Sequence, residues 1–519
     1  MFVRFDSKGN LMKFPRASGI LLHPTSLPGR YGIGDLGEAA YAFIDYLVAG
    51  SQSLWQVLPL GPTSYGDSPY QSLSAFAGNT NLISFDKLRK LGWLTDDDLA
   101  DLPDFPTYSV DYGPVIEYHQ QKLTRAYQQF QKNANAGYRQ AFQKWCKQEA
   151  FWLEDFVLFF ALKNENGGKP WVEWDNEDEA LYQPEALEAA RERLADQINF
   201  NRFTQWLFFA QWDELKTYAN QKGVSIIGDI PIFVAHDSAD VWANKRFFYL
   251  DPKGNPTVIA GVPPDYFSKT GQRWGNPLYR WETLKKEGYD WWIKRVQAIL
   301  KLVDIVRIDH FRAFEDYWEI PASEETAVKG EWVKGPNVDF FKVLEAALGD
   351  LPIIAEDLGE ITEEVEILRD TLDLPGMKII QFAWSDPDNE FLPHNYKTQN
   401  CVAYSGTHDN NTVMGWWMGE GSEGQKAFVE AYVGKKVIEP HWEMIRLGMM
   451  SIASMFVAPL QDVFGFGEDT RMNTPGKEQG NWGWRFSADW LEKREPLERL
   501  KHLTHVYGRH PHTVNKNRI

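Results

Sequence analysis

Short runs of apolar, mostly branched residues punctuate the chain, and between them lie longer stretches in which apolar positions recur every three or four residues. The first pattern predicts strands and the second predicts helices. Eight runs stand out: Ser18 to Leu22, Leu54 to Leu60, Val224 to Ile230, Val303 to Ile308, Leu351 to Ala355, Met377 to Phe382, Cys401 to Tyr404 and Met455 to Val463. They are continuous rather than alternating, so the strands are expected to be parallel and buried on both faces. Eight of them separated by helices predict an α/β fold, a closed (β/α)8 TIM barrel.

The spacing between runs is uneven, and that shows where the barrel is decorated. Residues 61–202, between the second and third strands, carry their own helical pattern at Ile116 to Lys163 and Pro184 to Leu194, which predicts a helical subdomain inserted there. The stretch from Pro231 to Gln272 is rich in Gly, Pro and aromatics with little periodicity, and loops of that length usually serve function. Residues 231–290 are therefore expected to form an active-site flap and loop insertion. The sixth and seventh strands are too close for a full helix between them, so the barrel is expected to be imperfect there. The 519 residues are otherwise read as one catalytic unit.

Composition narrows the partners. With 72 acidic and 54 basic residues, the net charge of -18 and the lack of a Lys/Arg cluster argue against nucleic acid. Cys146 and Cys401 lie too far apart in sequence for a CxxC motif, and a disulfide framework is not available, which fits a reducing cytoplasm. The start, MFVRFDSKGN, lacks the apolar core of a signal peptide, and Met449 to Leu460 is too short to span a bilayer. A cytoplasmic protein away from membranes is expected. Aromatics make up 14% of the chain, including 22 Trp, enough both to fill cores and to line a groove that stacks on sugar faces.

Three acids stand where predicted strands run out: Asp309, Glu356 and Asp409. In a barrel the carboxyl ends of the strands carry the active site, so these side chains are expected to converge. Glycoside cleavage needs one carboxylate to attack or assist at the anomeric carbon and a protonated carboxyl to release the leaving oxygen. Arg307 shares a strand face with Asp309 and is expected to favour its charged form, whereas Glu356 would need a drier setting that raises its pKa. Singly, such acids have plainer uses: Asp304 as a polar strand edge, Asp357 as a helix cap, Asp309 as half of an ion pair.

Histidines fall in the same places. His23, His236, His310 and His408 all sit at or just beyond predicted strand ends, where imidazoles can hydrogen-bond sugar hydroxyls. Zinc is the rival use, but the chain has no HExxH, and these four histidines form no close pair in sequence. Two loops look shaped for a polymer: Ser64 to Gln71, with Tyr65 and Tyr70 on a turn, and Gly261 to Pro277, which could fold over the mouth. There is no GxGxxG after the first strand, no GxxxxGK[ST], no GxSxG and no EF-hand loop.

At Val306-Arg307-Ile308-Asp309-His310-Phe311-Arg312, Ile354-Ala355-Glu356-Asp357-Leu358-Gly359 and Gly406-Thr407-His408-Asp409-Asn410-Asn411-Thr412, the chain resembles the 4-α-glucanotransferases called amylomaltases or disproportionating enzymes. These form glycoside hydrolase family seventy-seven in the α-amylase clan. The resemblance runs from Gly19 to Arg485, and its most specific part is Pro263-Pro264-Asp265-Tyr266-Phe267 with Trp274-Gly275-Asn276-Pro277. It implies Asp309 as nucleophile, Glu356 as general acid and base, and Asp409 as transition-state stabiliser. Arg307 and His408 match positions flanking these acids. Asp229, Asp265, Gln272 and Trp274 match the substrate-contacting segments, and Tyr65 and Tyr70 match aromatics of the acceptor region and an outer glucan site.

The implied activity is retaining transfer of an α-1,4-glucan segment to the 4-hydroxyl of another glucan or of glucose. No cofactor is implied, and the calcium ion common elsewhere in the clan has no recognisable site. The expected partners are α-1,4-glucans and maltooligosaccharides as donor and acceptor. The same acids would also serve an α-amylase-type hydrolase or a branching enzyme, and the aromatics alone would serve a non-catalytic glucan-binding protein. The flap segment argues against the first and the full set of acids against the second.

Overall fold

The computed structural model describes residues 14–264 and 268–510, and in them twelve strands sort into two sheets. In chain order the strands are β1 (Ala17–Leu21), β2 (Leu54–Gln56), β3 (Ser225–Pro231), β4 (Val258–Val262), β5 (Gln272–Pro277), β6 (Ile305–Asp309), β7 (Asp316–Pro321), β8 (Glu331–Lys334), β9 (Ile353–Ala355), β10 (Gly376–Ile379), β11 (Cys401–Tyr404) and β12 (Met455–Pro459). The larger sheet is parallel and runs β10-β11-β12-β1-β2-β3-β6-β9. Its ends meet. The Ala355 N–H of β9 donates to Pro375 O at 2.9 Å, and the Met377 N–H of β10 donates to Asp357 Oδ1 at 2.7 Å. A Cβ on Gly376 would lie 2.3 Å from Asp357 Oδ2, so only glycine lets this seam form.

All eight apolar runs thus supply a barrel strand, but three overshoot it. Leu54 to Leu60 pairs through Gln56, with one further bond from the Val57 N–H to Ile227 O at 2.8 Å. Met377 to Phe382 leaves the sheet after Ile379 for a 3-10 turn, and Met455 to Val463 becomes a helix, Leu460–Phe464, after Pro459. A short apolar run does not distinguish a buried strand from the first turn of a buried helix. Proline at the helix start decides the second case, because its fixed φ and missing N–H suit that position.

Between Ile379 and Cys401 the chain makes only short 3-10 turns, as the close spacing of the two runs implies. The sheet itself is intact there, since β10 and β11 pair over four residues. What is thinned is the helical layer.

The segment Ile116 to Lys163 is helical but broken into Tyr112–Asn133, Ala136–Gln148 and Ala150–Glu165. Ala134 turns extended, and the Asn135 side chain caps the next helix by accepting from the Tyr138 N–H at 3.0 Å. The pattern at Pro184 to Leu194 becomes Pro184–Arg193. The helix Ala195–Gln221 then runs past residue 202 into the barrel layer, where the Trp212 indole N–H donates to Leu302 O at 2.8 Å.

The smaller sheet is antiparallel, ordered β5-β4-β7-β8, and was not legible as strands. The stretch read as an irregular flap supplies β4 and β5, and the segment after Asp309 supplies β7 and β8. Their sequences, such as Gln272 to Pro277 and Glu331 to Lys334, lack the period-two alternation that marks a strand. Pairing across distant segments defines them instead. Most tryptophans fill cores: Trp55, Trp171, Trp212, Trp242, Trp292 and Trp384 are all fully buried.

Candidate active site

Parallel register places the first charged group. Asp229 of β3 lies opposite Arg307 of β6, and Pro231 lies opposite Asp309, so Asp229, Arg307 and Asp309 share one face at the carboxyl end of the barrel. Arg307 Nη1 is 2.5 Å from Asp229 Oδ2 and 2.9 Å from Asp309 Oδ1. The guanidinium is buried, and the two carboxylates raise its pKa well above the usual arginine value against the cost of that burial. Asp229 is fully buried, and burial raises its pKa although Arg307 opposes the shift. The Asp309 side chain keeps 28% of its surface exposed and so faces the opening.

Glu356 stands just past β9, beside β6. Its Oε2 accepts the main-chain N–H of His310 at 2.6 Å, and its Oε1 accepts that of Leu358 at 3.0 Å. His310 reaches this position with φ +52°, a left-handed conformation uncommon outside glycine. Burial, and then the negative charge of Asp309, push the Glu356 pKa up to about 8, with Arg307 and the two amides opposing. The two acids therefore have opposite environments, one open and paired with arginine, the other dry.

Asp409 lies in the loop after β11, 43% exposed at its side chain, with His408 Nε2 3.3 Å from Oδ2. The Asn473 amide donates to Oδ1 at 2.6 Å, and Arg471 donates to the Asp409 main-chain oxygen at 2.7 Å. Tyr70 stacks on His408 with centroids 5.2 Å apart and 12° between planes, and Trp482 packs against both rings. The Tyr70 hydroxyl donates to Asp229 Oδ2 at 2.7 Å, which joins this cluster to the Arg307 network. Trp482 holds φ +64°, and its main-chain oxygen accepts the Tyr112 hydroxyl at 2.9 Å.

The structure thus brings Asp229, Arg307, Asp309, Glu356, His408, Asp409 and Tyr70 together. Trp274 meets His310 edge-on at 4.8 Å, and its indole N–H donates to Gln272 Oε1 at 3.1 Å, so β5 borders the site. Burial holds the His310 pKa down near 4. Tyr65 is 69% exposed on the turn Tyr65–Asp67, and Asp265 lies outside the described residues. His23 is buried near His408, with burial lowering its pKa to about 3. His236 packs on Trp171 and bonds Gly254 O, which is a structural use.

The plainer readings of two acids also resolve. Asp304 accepts the Ile226 N–H at 2.8 Å at the opposite end of β3. Asp357 does not cap a helix; it pairs with Arg369 at 2.6 Å and holds the barrel seam. Asn473 and Arg471 are absent from the sequence reading, and Trp482 enters it only within the stretch Asn481 to Arg485 that ends the family resemblance, with no role assigned. They come from the loop beyond the last strand, more than sixty residues from Asp409, and nothing local marks them. Among the described residues no group of three or more His, Cys, Asp or Glu side chains is placed to hold a metal ion.

Known proteins resemble this chain over most of its length. The family described as 4-alpha-glucanotransferase, glycoside hydrolase family 77, matches residues 22–491. The 4-alpha-glucanotransferase of Synechocystis is 51% identical over 95% of this chain and 98% of its own. That of Thermus thermophilus is 50% identical over 91% and 95%. The amylomaltase of Streptococcus agalactiae, in complex with acarbose, superposes with a TM-score of 0.92 at 42% identity, covering 96% of this chain and 100% of that one. With its barrel, its converging acids and these matches, the chain belongs to the 4-alpha-glucanotransferase family.

Proposed function

We propose that the protein disproportionates α-1,4-glucans by retaining transfer. It cleaves a donor, keeps the glycosyl piece on Asp309 as an ester, and passes that piece to the 4-hydroxyl of an acceptor glucan or glucose. The contrast between Asp309 and Glu356 carries this reading. A nucleophile must be charged and reachable, and Asp309 is open and beside the Arg307 guanidinium. The acid must hold a proton at neutral pH, and the dry setting of Glu356 lets it do so.

In the first step Asp309 attacks the anomeric carbon while Glu356 gives its proton to the departing 4-oxygen. In the second, Glu356 takes the proton of the incoming 4-hydroxyl, which attacks the same carbon and releases Asp309. Two inversions keep the anomeric configuration. Asp409, held by His408 and Asn473, is the group that stabilises positive charge on the sugar ring. Tyr70, which keeps part of its surface exposed beside the buried His408 and Trp482 rings, is the aromatic group there for a sugar to meet, and a sugar seated against it would compete with water for the ester.

The test is incubation with maltotriose, following glucose and longer oligosaccharides together by chromatography. Glucose with a ladder of longer glucans is the expected result. Glucose and maltose alone would replace transfer with hydrolysis, and unchanged maltotriose would overturn the reading.

A further inference from the structure

A second cavity lies outside the acid cluster, between the helix Ala150–Glu165, the segment from Ala239 to Phe247 and the start of the helix Asp290–Leu302. It has room of about 120 Å3, several times the roughly 10–15 Å3 that one water needs. Phe151 forms part of its wall and keeps 41% of its surface exposed, whereas the Trp152 and Trp291 rings beside it are buried. Phe76 braces them: it meets Phe151 edge-on at 5.6 Å and Trp291 edge-on at 6.0 Å.

The polar lining is mixed in sign. Arg246 pairs with Glu287 through both oxygens, at 3.1 and 3.2 Å, and Lys294 pairs with Asp290 at 2.6 Å. Asp155 and Asp240 also line the cavity, each held by one neighbour: Asp155 by the Tyr182 hydroxyl at 2.5 Å, Asp240 by the Ala75 N–H at 2.7 Å. Four carboxylates against two cations disfavour an anion. Carboxylates with spare lone pairs, fixed donors and a partly exposed aromatic ring, which Lys294 Nζ approaches at 5.9 Å from the centroid, suit a neutral ligand with many hydroxyls.

We infer that this cavity is a second binding site for glucosyl units of an α-glucan, with Phe151 as the stacking platform and Asp155 and Asp240 as acceptors for sugar hydroxyls. The inference rests on the transferase reading for the choice of sugar. The cavity also adjoins the loop that carries Tyr70, because Ser74 lines it and the Ala75 and Leu73 main chains bond Asp240 and Ala239. A long glucan held here gains a second attachment, so its effective affinity rises, whereas maltotriose is too short to profit.

The experiment compares Phe151→Ala and Phe151→Trp with the parent on amylose and on maltotriose, after thermal unfolding confirms that both variants fold. Phe151→Ala is expected to raise KM for amylose about five- to tenfold, with Phe151→Trp near the parent and maltotriose turnover unchanged in all three. Calorimetric titration of maltotetraose should lose one weak site in Phe151→Ala. Unchanged amylose kinetics would overturn the inference, as would an equal loss on maltotriose. Failure of the transferase reading itself is distinguishable, because it would leave the parent without maltotriose disproportionation.

Discussion

The main-chain N–H of His310 donates to Glu356 Oε2 at 2.6 Å, so the residue that follows Asp309 in sequence fixes the position of Glu356 in space. The left-handed φ of His310 aims that N–H at its partner. Two chemically opposed carboxyl groups are thereby held in one arrangement by backbone, which cannot rotate away as a side chain can. The role proposed for each rests on its surroundings.

Glu356→Gln keeps the shape of the side chain but removes the transferable proton, and its NH2 can no longer accept one of the two main-chain N–H groups, those of His310 and Leu358, that the carboxyl oxygens accept. Transfer is expected to fall about a hundred- to ten-thousandfold while affinity for maltooligosaccharides survives. Steady-state rates with maltotriose and binding titrations check both halves, and unchanged transfer would remove Glu356 from the acid role.

The same residue makes stability depend on pH. Its folded pKa, pushed up to about 8, lies above the ordinary glutamate value of 4.5, so the folded state binds more protons between these values. The stabilisation is fully present below about 4.5 and is lost as pH rises through about 8, with a slope of up to about 1.4 kcal/mol per pH unit. Glu356→Gln lacks this slope and should gain stability relative to the parent between pH 6 and pH 9. Denaturant midpoints at the two pH values measure it, and parallel losses in parent and variant would contradict it. In the same range, the cleavage step of the parent should slow as pH passes about 8.

Arg307 spans Asp229 and Asp309 with one guanidinium nitrogen, Nη1. Arg307→Met leaves Asp229 buried without its cation and should cost about 3–5 kcal/mol of stability. Adding Asp229→Asn should recover most of the stability, since the uncompensated charge is gone, but not the rate. Recovery of the rate in the double variant would show that Arg307 serves the fold alone.

Arg509 closes the other end of the barrel without any carboxylate. Its guanidinium donates to the carbonyls of Ala17, Gly448, Met449, Ser451, Ala453 and Ser454, which include the end of the helix Pro440–Met450. Burial lowers its pKa well below the usual arginine value. Arg509→Met strips these carbonyls of a donor and should cost several kcal/mol, on the order of 1–3 for each acceptor left dry. Calorimetric or denaturant unfolding reads the loss, and residual activity per folded molecule should match the parent.

How much of this was legible in the sequence differs from element to element. Branched apolar runs announced all eight barrel strands, because a strand buried on both faces must be apolar throughout. Asp309, Glu356 and Asp409 were legible because each follows such a run, and a barrel presents its catalytic groups at those ends. The overshoot at Leu60 and Val463 arose because apolarity reports burial and does not by itself report backbone conformation.

The amino-acid sequence by itself determined the barrel, its order of strands along the chain and the acids at their ends, since these follow from local burial and local periodicity. Only the tertiary structure decided the antiparallel sheet of β4, β5, β7 and β8, the seam that Asp357 holds beside Gly376, and the hold of Asn473 on Asp409. Each of these joins residues far apart along the chain. Their partners are chosen by packing and hydrogen bonding in three dimensions, for which a linear pattern carries no signal. The unequal environments of Asp309 and Glu356 belong to the same class, because dryness and charge are properties of a place in the fold.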